Sequence, residues 1–299
     1  MTSTYRTRFA PSPTGKMHPG HARTALATWL RARKAGGTIL MRFEDIDQPR
    51  VVEGAADSIL RDHEWLGLDW DEGPVWQSSR FDVYQEALET LQRQGDVYPC
   101  TCSRREIAAV ASAPHGDDGP RYPGTCRRGP TRPGREPSLR FRFAEPSPGF
   151  DDVVCGRYPE GAVGGDFVVR RADGVWAYQL AVVVDDAQAR ISEIVRGDDL
   201  LSSTPRQLAL YRALGYPAPG FAHVPLVTDG EGVRLATRHK ATSIESLRSS
   251  GRSAESVIGE LAFSLGIAPN PSPIRPQALV SAFELGSISR VSFAWPSGG

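Results

Sequence analysis

One short string constrains the fold of this chain more than any other: Arg8-Phe9-Ala10-Pro11-Ser12-Pro13-Thr14-Gly15-Lys16-Met17-His18-Pro19-Gly20-His21. It follows an apolar-tending segment, 5–10, that reads as a strand, and it opens a helix-like run, 22–35. A strand, a Gly- and Pro-bearing turn and a helix N-terminus in succession make an anion-binding corner. Unpaired N–H groups and the positive end of the helix dipole converge on whatever phosphate sits there. His18 adds a side-chain donor beside those amides.

The text that follows repeats the strand-helix alternation. Residues 38–43 are β-like and end in the acidic turn Glu44-Asp45-Ile46-Asp47. Residues 54–66 carry Ile59, Leu60 and Leu66 at helical spacing before Gly67, and 81–94 carry Tyr84, Leu88 and Leu91 before Gly95. Such alternation predicts an α/β fold, a Rossmann-type parallel sheet wrapped on both faces. From 100 to about 135 the chain turns rich in Pro, Gly, Arg and Asp and holds too little apolar text for a core of its own. Segments 139–143, 166–170, 176–184 and 190–195 read as strands returning to the sheet. Residues 200–214 read as a helix started at Ser202-Ser203-Thr204-Pro205. A strand at 221–227 and a last helix at 256–265 follow, and the Pro/Ser-rich text from 270 reads as a loosely held tail. The expected organisation is a first catalytic half, 1–99; a small insertion, 100–137; a second half, 138–242; and a short helical part, 243–299.

At 299 residues the chain can bury a large core, and its formal net charge of zero confines any nucleic-acid contact to a local basic patch. No run of eighteen apolar residues predicts a membrane span, and residues 1–8 lack the apolar stretch of a secretory leader. A cytoplasmic, monomeric protein is expected. Four cysteines in such a chain read as metal ligands or core thiols rather than as disulfides.

The Arg-Phe-Ala-Pro-Ser-Pro-Thr-Gly run ahead of His18-Pro19-Gly20-His21 resembles the HIGH signature region of class I aminoacyl-tRNA synthetases, in the form used by the glutamyl branch. The resemblance implies an ATP site on a Rossmann-type sheet, with magnesium on the phosphates, where an amino acid becomes its adenylate. It implies ATP contacts from Ser12, Gly15, His18, Gly20 and His21, with His18 and His21 serving catalysis.

A glutamate pocket needs fixed cations and one anion, and arginine is the best carboxylate partner because its planar fork donates two parallel hydrogen bonds. Arg8 ends the first strand and Arg196 follows 190–195; open α/β sheets bind ligands outside the carboxyl ends of their strands. Glu44 ends the strand 38–43 and can take the ammonium, and Tyr178 offers a hydroxyl and a flat wall. Each has an ordinary structural role available to it. The resemblance covers 8–242 and assigns Arg8, Glu44, Tyr178 and Arg196 to the amino-acid site, with Phe9, Ala10, Pro11 and Ser12 beside them. Asp198 and Asp199 read as a helix cap or as partners for Arg196.

Cys100-Thr101-Cys102 and Cys126 fall in the core-poor insertion, where a metal commonly substitutes for a core. Three thiolates need a fourth ligand. The shortened glutamyl-synthetase-like enzymes that modify tRNA carry a Cys-x-Cys…Tyr-x-x-x-Cys zinc set, which implies Tyr122. His115 is the chemical rival, since imidazole is the commoner zinc ligand. Cys155 stands apart as a structural thiol.

Class I enzymes also carry a Lys-Met-Ser-Lys-Ser-type loop whose second lysine steadies the ATP phosphates. In the corresponding place this chain reads Gly232-Val233-Arg234-Leu235-Ala236-Thr237-Arg238-His239. Aligned on Leu235, the lysine positions become Arg234 and Thr237. Thr237 supplies no cation, which leaves Arg238 or Lys240 to reach in its stead.

Only about sixty residues follow that loop, so an anticodon-binding domain is not expected. Length and zinc set together resemble the glutamyl-Q tRNA(Asp) synthetase family. Those enzymes make glutamyl-AMP without tRNA and esterify the glutamate onto the cyclopentene diol of queuosine at the wobble position of tRNA(Asp). Two other readings stay open: a truncated glutamyl-tRNA synthetase that charges a 3′ end, and an RNA-binding pseudo-enzyme that lost turnover at Thr237.

Overall fold

The computed structural model describes residues 5–103, 105–107, 121–229 and 243–295. Strand β1 (Arg6–Phe9) leads through the Pro/Gly turn into α1 (Pro19–Lys34), which returns to β2 (Thr38–Phe43). β1 and β2 pair in parallel, Arg6 opposite Thr38 and Phe9 opposite Met41. Helix α2 (Ala55–Leu66) stops at Gly67, whose φ of 73° suits a residue without a Cβ. It connects to β3 (Glu72–Trp76), parallel to β2 on its other side.

Helix α3 (Phe81–Arg93) then delivers β4 (Val97–Cys100), which leaves that sheet. β4 pairs antiparallel with β5 (Ser138–Phe141), and β5 with β8 (Phe167–Arg170), forming a separate three-stranded sheet. The expected return of 139–143 and 166–170 to the parallel sheet is therefore corrected. Cys100, at the end of β4, lies opposite Ser138. In the chain between β5 and β8, β6 (Phe150–Asp152) and β7 (Gly156–Tyr158) make a hairpin that joins another sheet through β6.

The segment 176–184, expected as a strand, is the start of helix α4 (Tyr178–Gln188). Its Leu180-Ala181-Val182-Val183-Val184 run is buried on every side, and an unbroken apolar run hides the helical period that an amphipathic helix displays. Arg190, at φ 55°, follows that helix, and strand β9 (Glu193–Gly197) begins three residues later. Helix α5 (Thr204–Ala213) starts with proline in its first turn and connects β9 to β10 (Gly220–Val224), parallel to β9 in full register and to β6 through Phe221. The short strands β11 (Val227–Thr228) and β12 (Phe293–Ala294) pair with each other, and α6 (Ile244–Ser249), α7 (Ala254–Ser264) and α8 (Pro276–Leu279) lie between them.

Arg6 and Ser192 join the two parallel sheets: Ser192 N donates to the Arg6 carbonyl at 2.9 Å, and Arg6 N to Ser192 Oγ at 2.9 Å. β9 thus starts beside β1, and the carboxyl ends of β1, β2, β9 and β10 open on one side. The text from 270 is not loose: Leu279, Phe283, Leu285, Ile288 and Trp295 are buried in the same core as α1 and α7. Their spacing follows neither 3.6 nor 2, so no period announces them. Among the described residues no helix is long and apolar enough to cross a membrane.

Candidate active site

A cavity of about 420 Å³ lies outside the carboxyl ends of those strands, where open α/β sheets place their ligands. It is lined by Arg8 and Phe9 at the end of β1 and Ala10, Pro11 and Ser12 after it, by His18, Gly20 and His21 at the start of α1, by Glu44 after β2, by Tyr178 at the start of α4 and by Arg196 from β9. Gly15 is not among its lining residues.

The helix start explains the His-x-Gly spacing. His18 caps α1, its Nδ1 accepting from the Gly20 N–H at 3.1 Å. A Cβ on Gly20 would stand 2.9 Å from His18 Cε1, closer than such atoms approach, so glycine gives the ring its place. With Nδ1 as acceptor, the proton of the neutral ring is assigned to Nε2, a donor. His21 stacks on His18 with ring centroids 3.7 Å apart.

Beneath the cavity floor lies a buried charge network. Arg8 Nε donates to Asp186 at 3.1 Å, and Arg42 donates to Asp186 at 2.6 Å and to Glu44 at 3.0 Å. Arg80, Gln77 and Tyr84 donate to the neighbouring Asp185 at 2.6, 2.7 and 2.8 Å. Burial would raise the Asp186 carboxyl, but Arg42 and Arg8 outweigh it and hold it below its usual range. At Glu44 burial prevails over the same arginines and pushes the carboxyl up. Removing either partner of such a pair leaves a buried charge uncompensated.

Arg196 is held from behind. Its Nε donates to His223 Nε2 at 3.0 Å and its Nη2 to Thr204 Oγ1 at 2.7 Å, while Nη1 donates to Tyr178 Oη at 3.3 Å. His223 in turn meets Asp152 at 2.6 Å. The sequence reading missed Arg42, Asp152, Asp186, Thr204 and His223. The available signal was a charge inside apolar text, as in Ile39-Leu40-Met41-Arg42-Phe43.

Cys100, Cys102 and Cys126 form a second cluster, their sulfurs all within 4.8 Å of one another. Tyr122 Oη sits among them, 3.3 Å from Cys100 Sγ and 3.7 Å from Cys102 Sγ, and accepts the Cys126 N–H at 2.8 Å. Cys102 Sγ and Cys126 Sγ are 3.6 Å apart. Burial alone would raise the Cys126 thiol; hydrogen bonds from Thr101 and Thr131 outweigh it and bring it down to about 6. A thiolate that forms easily is a ready metal ligand. The Arg140 guanidinium covers the Tyr122 ring at 4.1 Å.

His115, Arg234, Thr237 and Arg238 lie outside the described residues. The described flanks of the last three reach the cavity: Val227 lines it, and Ile244 N donates at 2.9 Å to the carbonyl of Met17, which lines it too.

A strand-end cavity with a histidine-capped helix beside paired arginines defines a nucleotide-dependent ligase site of the class I synthetase type. The family model "tRNA synthetases class I (E and Q), catalytic domain" matches residues 4–272, and the chain belongs to that family. It is 50% identical to the glutamyl-Q tRNA(Asp) synthetase of Symbiobacterium thermophilum, over 95% of this chain and 93% of that one. It is also 46% identical to the glutamate--tRNA ligase of Geobacter sulfurreducens, over 87% of this chain but 56% of that longer one. The glutamate-tRNA synthetase crystal structure from Elizabethkingia anophelis shares the fold, with a TM-score of 0.83 at 24% identity over 99% of this chain and 68% of that one.

Proposed function

We propose that this chain activates glutamate with ATP to glutamyl-AMP without tRNA, then transfers the glutamyl group to the queuosine base of tRNA(Asp). The observation that carries the reading is the single cavity where Arg8, Arg196, Glu44 and Tyr178 meet the His18-capped start of α1. The near full-length similarity to a glutamyl-Q tRNA(Asp) synthetase supports it. Arg8 and Arg196 neutralise the two carboxylates of glutamate and Glu44 takes its ammonium. The α-carboxylate attacks the α-phosphorus of ATP in line and pyrophosphate leaves, with magnesium on the phosphates. His18 Nε2–H and the amides of α1 stabilise the charge that builds on the phosphorane. A queuosine hydroxyl then attacks the mixed anhydride and AMP leaves. Both steps rest on positioning and electrostatics and need no dedicated general base.

A second cavity, of about 1040 Å³, shares Ser12, Thr14, Glu44 and Tyr178 with the first and runs to Cys100 and Cys102. Arg50, Arg135, Arg140 and Arg171 line it together with Glu44, Asp47, Glu136 and Asp173. The cysteine cluster fits a structural zinc. A tetrahedron with Zn–S bonds of about 2.3 Å has edges of roughly 3.8 Å, close to the 3.6 Å between Cys102 Sγ and Cys126 Sγ and the 3.3 and 3.7 Å from Tyr122 Oη to Cys100 Sγ and Cys102 Sγ. Bound zinc would draw off the Tyr122 proton and tie β4 to the 122–126 turn.

Glutamate-dependent ATP–pyrophosphate exchange without tRNA tests the first step. Exchange with glutamate alone is expected. Exchange only on adding tRNA would point to the glutamate--tRNA ligase type, and none under either condition would leave a binding module.

A further inference from the structure

The rear of Arg196 holds a chain of buried polar groups that the activation chemistry does not touch. Arg196 Nε donates to His223 Nε2 at 3.0 Å, and His223 Nδ1 lies 2.6 Å from Asp152 Oδ2. Neither His223 nor Asp152 lines the cavity. An arginine has donors only, so His223 Nε2 accepts and carries no proton. The proton is therefore on Nδ1 and is donated to Asp152. The other Asp152 oxygen accepts three backbone N–H groups, from Cys155 at 2.8 Å, Val154 at 3.0 Å and His223 at 3.1 Å. Every atom of the aspartate is thus fixed, and with it the tautomer of the ring.

We propose that Asp152 and His223 are positioning residues that fix the Arg196 guanidinium for the glutamate carboxylate; this rests on the glutamate-activation reading above. Nε and Nη2 are held by His223 and Thr204, so the plane of the guanidinium is set from behind. Nη1 remains on the side of Tyr178, which lines the cavity. The ring also serves as a neutral spacer: a carboxylate placed directly on Arg196 would compete with the substrate for its charge. The groups facing His223 are Asp152 from β6, Arg196 from β9 and Thr204 from α5, with the Asp199 charge near and the Phe150 and Phe221 rings beside it. Burial foremost, with the Arg196 charge adding to it, keeps the imidazole below its usual range despite Asp152. Once protonated, the ring would present Nε2–H to the Nε–H of Arg196 and release it.

Asp152→Asn is the decisive variant. Its oxygen keeps the three backbone donors and its amide faces His223 Nδ1, forcing the ring proton to Nε2, against Arg196. The glutamate KM should rise about 10- to 100-fold, as when a partner that orients a ligating group is lost, with the ATP KM and the melting curve little changed. His223→Gln keeps an acceptor for Arg196 and has no proton to gain. It should hold the glutamate KM near the wild-type value at neutral pH and abolish the rise in KM expected of the wild type on acidification. His223→Leu should lose glutamate affinity as Asp152→Asn does. Nitrogen-15 spectra of labelled histidine, read without substrate, should give the Nδ1–H form in wild type and the Nε2–H form in Asp152→Asn. An Asp152→Asn glutamate KM within about twofold of wild type, a His223→Gln as impaired as His223→Leu, or a wild-type ring in the Nε2–H form would each overturn the proposal. A wild type without glutamate exchange would overturn the activation reading alone, and the ring tautomers would still decide the relay.

Discussion

Arg196 and Thr237 ask opposite questions of the site. Arg196 is buried, 5% exposed, and its guanidinium reaches a cavity wall. Arg196→Ala should cost glutamate binding about 2–5 kcal/mol, the penalty for leaving a buried carboxylate without its partner. It should appear in the glutamate KM of the exchange reaction, and an unchanged KM would remove Arg196 from the site. By its resemblance to the class I signature loop, Thr237 takes the place of a phosphate-binding lysine. Losing one such cation costs on the order of 3 kcal/mol of transition-state stabilisation. Thr237→Lys should therefore raise exchange turnover while leaving the glutamate KM alone, because the clamp acts on charge present mainly in the transition state. A variant with unchanged turnover, in a protein crippled by Arg238→Ala, would show that the cation sits one residue along.

At the scale of the element, the cysteine cluster is expected to act as a local staple. One zinc per chain should be found by elemental analysis, and Cys126→Ser should lose it. The 122–126 turn and the β4–β5–β8 sheet should then become easier to proteolyse, while glutamate-dependent exchange continues at the strand ends. Exchange lost in step with the metal would contradict a purely structural role. Asp166 gives the sheet its own anchor without metal, since Tyr98, Arg127 and the Phe143 amide all converge on it at 2.5–2.8 Å. The elements also show what was readable in the sequence. α2 carries a clean period and a sharp stop at Gly67, and β2 is a short apolar run ended by the acidic turn 44–47; the reading placed both. α4 is the failure, because burial on all sides erased its period and Val-rich text then favoured a strand. The phosphate corner was legible because its chemistry is local in the chain. The Asp152–His223–Arg196 and Arg8–Asp186–Arg42 chains were not, since their members are remote in sequence and only folding brings them together.

Across the whole molecule, acid stability should bear the mark of one buried histidine. His63 on α2 is 2% exposed, lies tilted against the Phe9 ring with centroids 4.7 Å apart and donates from Nδ1 to the Ile59 carbonyl at 2.9 Å. Burial brings its pKa down to about 4 against the Ile59 bond. Between that value and about 6.5 the unfolded chain binds a proton that the folded one refuses. The contribution to stability is full above about 6.5 and falls with pH by up to ~1.4 kcal/mol per unit, about 3 kcal/mol in all. Asp62 next door runs the other way. Burial lifts its carboxyl to about 6, so folding holds a proton there and stability falls as pH rises from about 4. Denaturant melts of wild type and His63→Met at about pH 5 and about pH 7.5 separate the two, because the Asp62 contribution cancels in the difference. The wild-type advantage should shrink at the lower pH; an advantage independent of pH would mean the ring is not held neutral.

A glutamate ligase that modifies a base instead of charging a 3′ end is distinguished by its accepting nucleotide. Radiolabelled glutamate and ATP would be given with three substrates: intact tRNA(Asp) carrying queuosine, the same tRNA stripped of its 3′-terminal adenosine, and tRNA(Asp) with unmodified guanosine at the wobble position. Label should enter the first two alike and be absent from the third. Label that requires the terminal adenosine and ignores the wobble base would identify a ligase that charges the 3′ end instead.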